Sequence, residues 1–414
     1  MALSFPKRHH RSNFIALAAN ILEYYDQGLY SLTAALLFTK FFGNCNPFTA
    51  LIILFLPFEI LAKPLGALFF GRIGDRKGRK TSFFLALLGM SLTTATIGFL
   101  PTYETIGIFS AASLVILRIL QKFCHSGNTG GALLLLESPI ASKRNLLSSL
   151  YGASGIFGFI LASFATFILA HFSLLEKYWR VLFLLGSLGG LTIFFAQNLC
   201  EETLFITAKK IKSSLPLWKD LKQNFSALLA VIFVCSFSYT TYSIPFVMMN
   251  GFAPHISALS HKEILHINTI LLCIDMLLLP VFGWISCKIP KEKMMRSAVY
   301  VAILGAIPVF SLLANPSAST IFYVRFFVVV VGVWFSATYY IWVQEHVPVN
   351  SRYTILSLGK SFGGAAGSAA TSITLWFYEY SHSHLTPAFY LLITAGAALI
   401  ALRKKGSYER TIPI

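Results

Sequence analysis

Apolar segments of about 20 residues recur along the whole of this 414-residue chain, and that repetition constrains the fold more than any other feature. Each segment can cross roughly 30 Å of hydrocarbon as a helix, the form that satisfies every backbone N–H and C=O within the segment itself. Twelve spans are expected, near 14–42, 48–73, 80–100, 106–137, 145–172 and 178–199, then 225–250, 263–285, 295–314, 319–346, 353–379 and 385–403. The fold class is therefore an all-α membrane protein. Residues 1–199 and 225–414 form two six-helix bundles, and 200–224, polar and carrying five lysines, form the linker. Composition agrees, because 56% hydrophobic against 12% charged residues is far from the balance of a soluble domain.

A net charge of +17 raises the question of nucleic acid, and the distribution of the cations answers it. With the termini and alternate loops taken as one side, only Lys40, Lys177, Arg180 and Lys262 fall in loops on the other side. Lys63, Arg118, Lys122, Arg325 and Lys360 lie within spans, and all remaining Lys and Arg share the first side. That is the positive-inside asymmetry, so both termini are expected in the cytoplasm, with the chain multi-pass in the cytoplasmic (inner) membrane. No folded basic face is left for nucleic acid. The six cysteines show neither pairing nor metal spacing, and no nucleophile or phosphate motif suggests an enzyme. The first apolar stretch is long, polar on one side and without a small-residue cleavage site, so it reads as a span and not as a cleaved leader.

The run PLGALFFGRIGDRKGRK at 64–80 brings an apolar segment to water and leaves through five cations. It lacks the preceding strand and the spacing of a phosphate loop. Gly71, Asp75, Arg76, Gly78, Arg79 and Lys80 resemble the loop between helices 2 and 3 of the major facilitator superfamily. The first span, AANILEYYDQGLY at 18–30, resembles the signature of the metabolite:proton symporter branch, whose members carry proline/betaine, shikimate, citrate or 2-oxoglutarate. LPTYETIGI at 100–108, LRILQ at 117–121, YWRVLF at 178–183 and EETLF at 201–205 extend the likeness across the first half. The resemblance implies alternating access between two pseudo-symmetric bundles, with Asp75 as a latch at a helix N-terminus. Three departures stand out: Lys63 replaces an arginine of the family pattern, Glu59 a small residue, and Asn128 an acid, with Lys122 gained nearby.

The halves also answer to each other. Arg118, Glu137, Pro139, Arg144 and Gly155 recur at a nearly constant offset as Arg325, Glu345, Pro348, Arg352 and Gly363, the plan of a secondary transporter built from repeats. Ionisable groups within spans are functional candidates by default, because a charge at bilayer centre costs about 2.5–3.5 kcal/mol on insertion scales. Asn20, Glu23, Tyr24, Gln27, Tyr30 and Ser31 share one face of the first span, with Asp26 beside it; Arg118, Gln121, Lys122, His125, Asn128 and Thr129 repeat the pattern in the fourth. Glu23 or Asp26 facing Arg118 would join a proton site to a cation that holds an acidic or zwitterionic solute; a purely structural ion pair is the competing reading. Glu59 and Lys63, four apart, either neutralise each other or leave Lys63 to touch solute. In the second half Tyr239, Tyr242, Asp275 and Arg325 are the candidates, against simple interhelical hydrogen bonding, while Lys360 is expected to snorkel.

The expected activity is import of a small polar solute, a zwitterion such as proline or betaine or an organic acid, together with protons. The loss of the acid at Asn128 keeps a uniporter or exchanger open, and a non-transporting sensor is the remaining alternative. No cofactor or metal is expected beyond the proton gradient. The chain is expected to act as a monomer in the lipid bilayer.

Overall fold

The computed structural model describes residues 5–43, 56–136, 144–196 and 217–403, and these are helical almost throughout. In chain order the first elements are α1 (Phe5–Phe42), α2 (Leu56–Lys77), α3 (Arg79–Phe99), the short α4 (Tyr103–Ile106) and α5 (Ile108–His125). A 3-10 turn, Ser126–Asn128, joins α5 to α6 (Thr129–Leu136), and α7 (Arg144–His171) and α8 (Leu175–Phe195) follow. After the short α9 (Leu217–Gln223) come α10 (Phe225–Ser243), α11 (Met249–Ile256), α12 (His261–Ile285), α13 (Lys291–Phe310), α14 (Ala318–His346), α15 (Arg352–Ser381) and α16 (Thr386–Arg403).

Among the described residues nine helical segments are long and apolar enough to cross a membrane. The long helices α1, α2 and α15 are not among them, because polar residues, glycines and charges dilute their apolar character. Large apolar side chains such as Phe14, Phe99, Phe109 and Leu304 point outward, each more than two-thirds exposed. Outward phenylalanine and leucine across so many helices is the pattern of a surface solvated by lipid chains.

Two boundaries differ from those the hydropathy suggests. The first helix starts at Phe5 and takes in the basic residues before residue 14, since Lys and Arg are good helix formers once hydrocarbon is left behind. The seventh expected span runs on from α10 through a π-helical segment, Ile244–Met248, into α11. Pro245 lies in that segment and cannot donate to an α ladder, so the wider turn absorbs the lost bond.

Contact density divides the chain into two units. One comprises Met1–Pro139 with Ser154–Ser214, the other Ile140–Ala153 with Leu215–Ile414, so the division runs through α7. In the first unit Tyr25, Leu29, Phe41, Leu114, Trp179 and Phe183 form one buried cluster between α1, α5 and α8. There α1 and α7 touch backbone to backbone at Gly158, where an added Cβ would run into the carbonyl of Ile21. In the second unit Gly359, Gly363 and Gly367 recur every fourth residue along α15 and receive Val231, Cys235 and Tyr239 of α10. Small residues at that spacing let two membrane helices approach closely enough for dispersion contacts to hold them without a hydrophobic driving force.

Candidate functional site

The first unit gathers a network of buried polar groups around the middle of α1. Glu23 and Asp26, three residues apart and so on one side of the helix, are 4% and 3% exposed. Carboxylates this buried persist only when hydrogen-bonded or paired. They engage two different sets of partners.

Asp26 is held by α3 and α5. One carboxylate oxygen accepts from the Thr94 hydroxyl at 2.7 Å, and the other accepts from the Gln121 amide nitrogen. That amide nitrogen also lies 2.9 Å from the Thr94 oxygen. The amide oxygen of Gln121 in turn accepts from Arg118 Nη1, so a chain Arg118–Gln121–Asp26 carries positive to negative across two helices. Arg118 is 3% exposed, and its guanidinium carbon sits 3.3 Å from the centroid of the Tyr30 ring, a cation–π contact with α1 itself. Gln121 thus stands between Asp26 and Arg118 and is hydrogen-bonded to both.

Glu23 makes an ion-pair contact with Nδ1 of His125 on α5. The amide nitrogen of Gln27 lies 3.0 Å from each nitrogen of the same ring, and Tyr24 meets the ring edge-on at 6.4 Å. Where the family pattern has an acid, Asn128 donates to Asn20 at 3.2 Å, and Asn20 donates to Ser154 at 2.8 Å. A small cavity beside these groups is lined by Glu23, Phe83, Ala86, Leu87, Met90, Cys124 and Asn128. Lys122, next to Gln121, is half-buried.

The second unit handles its cation differently. Arg325 is fully buried and donates to the side-chain oxygens of Asn250, at 3.2 Å, and Asn268, and more distantly to the Ile264 carbonyl at 3.5 Å. Neutral amides therefore solvate this guanidinium where a carboxylate terminates the chain from Arg118. Asp275, 7% exposed, lies two turns along α12 from Asn268. Tyr242 packs on Phe246 with ring centroids 4.9 Å apart. Lys360 sits with its amine 5.2 Å from the centre of the Tyr340 ring, and Tyr339 lies against the same ring, tilted by 40° with centroids 4.0 Å apart.

At the basic turn Gly78 separates α2 from α3 with φ 110°, a left-handed conformation that glycine alone adopts without strain. Gly71 and Arg79 are buried, Asp75 and Lys80 half-buried, and Arg76 exposed. Lys63 is half-buried on α2, whereas the side chain of Glu59 and the whole of Glu137 and Pro139 lie outside the described residues. Three participants go beyond the residues assigned a role from the sequence. Tyr30 and His125 stood on the polar stripes and were recoverable from spacing, but Thr94, one of several threonines in an apolar span, gave no signal.

The sequence model of the Major Facilitator Superfamily matches residues 16–371. The chain is 28% identical over 333 residues to the shikimate transporter of Escherichia coli (strain K12), covering 77% of this chain and 75% of that protein. It is 27% identical over 433 residues to a putative proline/betaine transporter of Staphylococcus aureus (strain COL), covering 94% and 88%. Among solved structures it resembles the proton:xylose symporter XylE bound to 6-bromo-6-deoxy-D-glucose, with a TM-score of 0.70, 16% identity and coverage of 96% and 94%. A partially occluded inward-open form of XylE from E. coli gives a TM-score of 0.62 at 15% identity, covering 95% and 97%.

Proposed function

The chain belongs to the Major Facilitator Superfamily, and from that premise we propose that it imports a small polar organic solute, a zwitterion or an organic acid, together with protons. It is a multi-pass membrane transporter and not an enzyme. The proposed topology is twelve spans in two six-helix bundles, both termini on the cytoplasmic side of the inner membrane, working as a monomer by alternating access. The relatives named as shikimate and proline/betaine transporters support the solute class.

The observation that carries the coupling is the chain from Arg118 through Gln121 to Asp26. An acid that takes up a proton no longer balances the guanidinium, whose charge is then available to a solute carboxylate. When the acid ionises it competes with that carboxylate for the same cation through the Gln121 amide, so proton and solute are linked. Lys122, Lys63, Tyr239, Tyr242, Asp275 and Arg325 are proposed as further solute contacts, and Gly71 to Lys80 as the gating turn.

A second reading, an exchanger or uniporter, is favoured by Asn128, which stands where relatives of the symporter branch have an acid and is tied to Asn20. Purified protein in proteoliposomes, given a panel of labelled proline, betaine, shikimate and dicarboxylates with and without an inward proton gradient, decides between them. Accumulation that needs the gradient, and that Asp26→Asn abolishes while solute exchange persists, supports symport. Accumulation by Asp26→Asn equal to the natural protein's would sink it.

A further inference from the structure

The contact between Glu23 and His125 has no part in the coupling just described, although it lies one helical turn from Asp26. Its partners differ in kind. Asp26 faces a hydroxyl, an amide and, through the amide, a guanidinium that stays charged at every physiological pH. Glu23 faces an imidazole, the side chain whose charge changes most readily between about pH 5 and pH 8.

The surroundings supply a partner for either state of that ring. With the neutral ring carrying its proton on Nδ1 toward Glu23, Nε2 accepts from the Gln27 amide nitrogen. When a proton from water binds Nε2, the ring becomes a cation that needs an acceptor there, and a half-turn of the Gln27 amide presents its oxygen. Glu23 is the group placed to balance that charge. His125 keeps 15% of its side chain exposed against 5% for Glu23, and Glu23 lines the cavity.

Other titratable groups near the pair come from each packed helix. From α1 come Tyr24, edge-on to the ring, and Asp26; from α5 come Arg118, Lys122 and Cys124. The α3 wall of the cavity is apolar (Phe83, Ala86, Leu87, Met90), with Arg79 and Lys80 only at its start. The α2 helix carries Glu59 and Lys63, α6 carries no titratable residue, and α7 offers the Ser154 hydroxyl through Asn20. The two nearby cations of α5 oppose a third charge on the ring, and Glu23 and Asp26 favour it.

We propose that Glu23 and His125 form a second proton-titrating pair in the first unit, separate from the Asp26 network; the proposal rests on the transport reading above for its use, though not for its existence. Its test therefore begins without transport. The full chain in lipid nanodiscs, with 15N-labelled histidine, is titrated from about pH 5 to pH 8, and the His125 ring signals are assigned among ten histidines by difference against His125→Gln. The expected result is a ring that titrates within that window, with a midpoint that moves by about one pH unit or more in Glu23→Gln and by much less in Asp26→Asn. A ring that stays in one state across the window, or a midpoint indifferent to Glu23→Gln, overturns the proposal. Should His125→Gln fail to insert, His125→Asn supplies the same difference spectrum. The ratio of solute uptake at pH 5.5 to that at pH 7.5 is then expected to change several-fold in His125→Gln. An unchanged ratio also overturns the pair's role, whereas a titrating ring in a protein that moves no solute of the panel leaves the pair standing and removes the solute class proposed above.

Discussion

Replacing Arg118 by alanine removes the cation at one end of a buried chain and leaves Asp26, 3% exposed, hydrogen-bonded to the Thr94 hydroxyl and the Gln121 amide, with Lys122 as the remaining nearby cation. Breaking a buried ion pair from one side costs about 3–5 kcal/mol, an upper bound here because Gln121 bridges the two charges and Lys122 still acts on Asp26. The stacking of the guanidinium on Tyr30 adds up to about 2 kcal/mol for a desolvated cation–π contact. If the stranded charge is the main term, neutralising it recovers stability, so Arg118→Ala with Asp26→Asn is expected to be more stable than Arg118→Ala alone by about 1–3 kcal/mol, the range for directly coupled sites. Asp26 can also be neutralised by a proton, so the gap between single and double variants is expected to narrow at pH 5 and widen at pH 8. The assay is the thermal unfolding midpoint of the four purified proteins in one detergent at both pH values. Because membrane proteins unfold irreversibly, rank order at a fixed scan rate is the quantity to compare. A double variant that unfolds at or below the midpoint of Arg118→Ala, at both pH values, would refute the reasoning and leave Arg118 as a packing residue.

Tyr30→Leu is expected to weaken solute uptake about two- to thirtyfold, since the cation–π contact under Arg118 is worth about 0.5–2 kcal/mol, while Tyr30→Phe keeps most of it; initial uptake rates at low solute concentration distinguish them. Gly158→Leu forces a side chain against the Ile21 carbonyl and is expected to cost about 1–3 kcal/mol of overpacking, seen as loss of monodisperse protein on size exclusion; Gly396→Ala, with open space around its Cβ position, is the control. Ser351→Ala removes a 2.6 Å hydrogen bond to the buried Asp220 and is expected to lower stability by about 1.5–3 kcal/mol, read as a fall in the thermal midpoint. Lys291→Ala breaks an ion pair with Glu345 whose side chains are 26% and 38% exposed, and less than about 1 kcal/mol is expected, with the remainder lost in 0.5 M salt.

The sequence made the helices legible because crossing hydrocarbon demands long apolar runs, and it made their order legible because the basic turns alternate. It also paired α1 with α5 as the helices that bring opposite charge together, from polar stripes at matching spacing. What it left open was which partner each carboxylate takes. Glu23 and Asp26 are three residues apart and equivalent in any hydropathy reading, yet one meets His125 and the other Gln121. That choice depends on the rotation of α5 relative to α1, which is set by packing such as the approach of α1 to α7 at Gly158. The Thr94 contact is of the same kind: a threonine in an apolar span usually bonds its own helix, as Thr93 does to Gly89, and only a neighbouring carboxylate distinguishes Thr94. The expectation that Lys360 snorkels was likewise drawn from depth alone, and a tyrosine ring within 5.2 Å is a feature no linear pattern encodes.

The aromatic ring beneath Arg118 restricts how an anion can reach it. One flat side of the guanidinium is covered by Tyr30, so a visiting carboxylate approaches edge-on, along the N–H bonds that now point to the Gln121 oxygen. On the role proposed for Arg118, a carboxylate that binds at Nη1 competes with the Gln121 amide oxygen for that N–H. If Arg118 holds a solute carboxylate as proposed, position 121 is then the place where a small change, Gln to Glu or to Ser, is expected to retune what the carrier accepts while leaving the arginine in place.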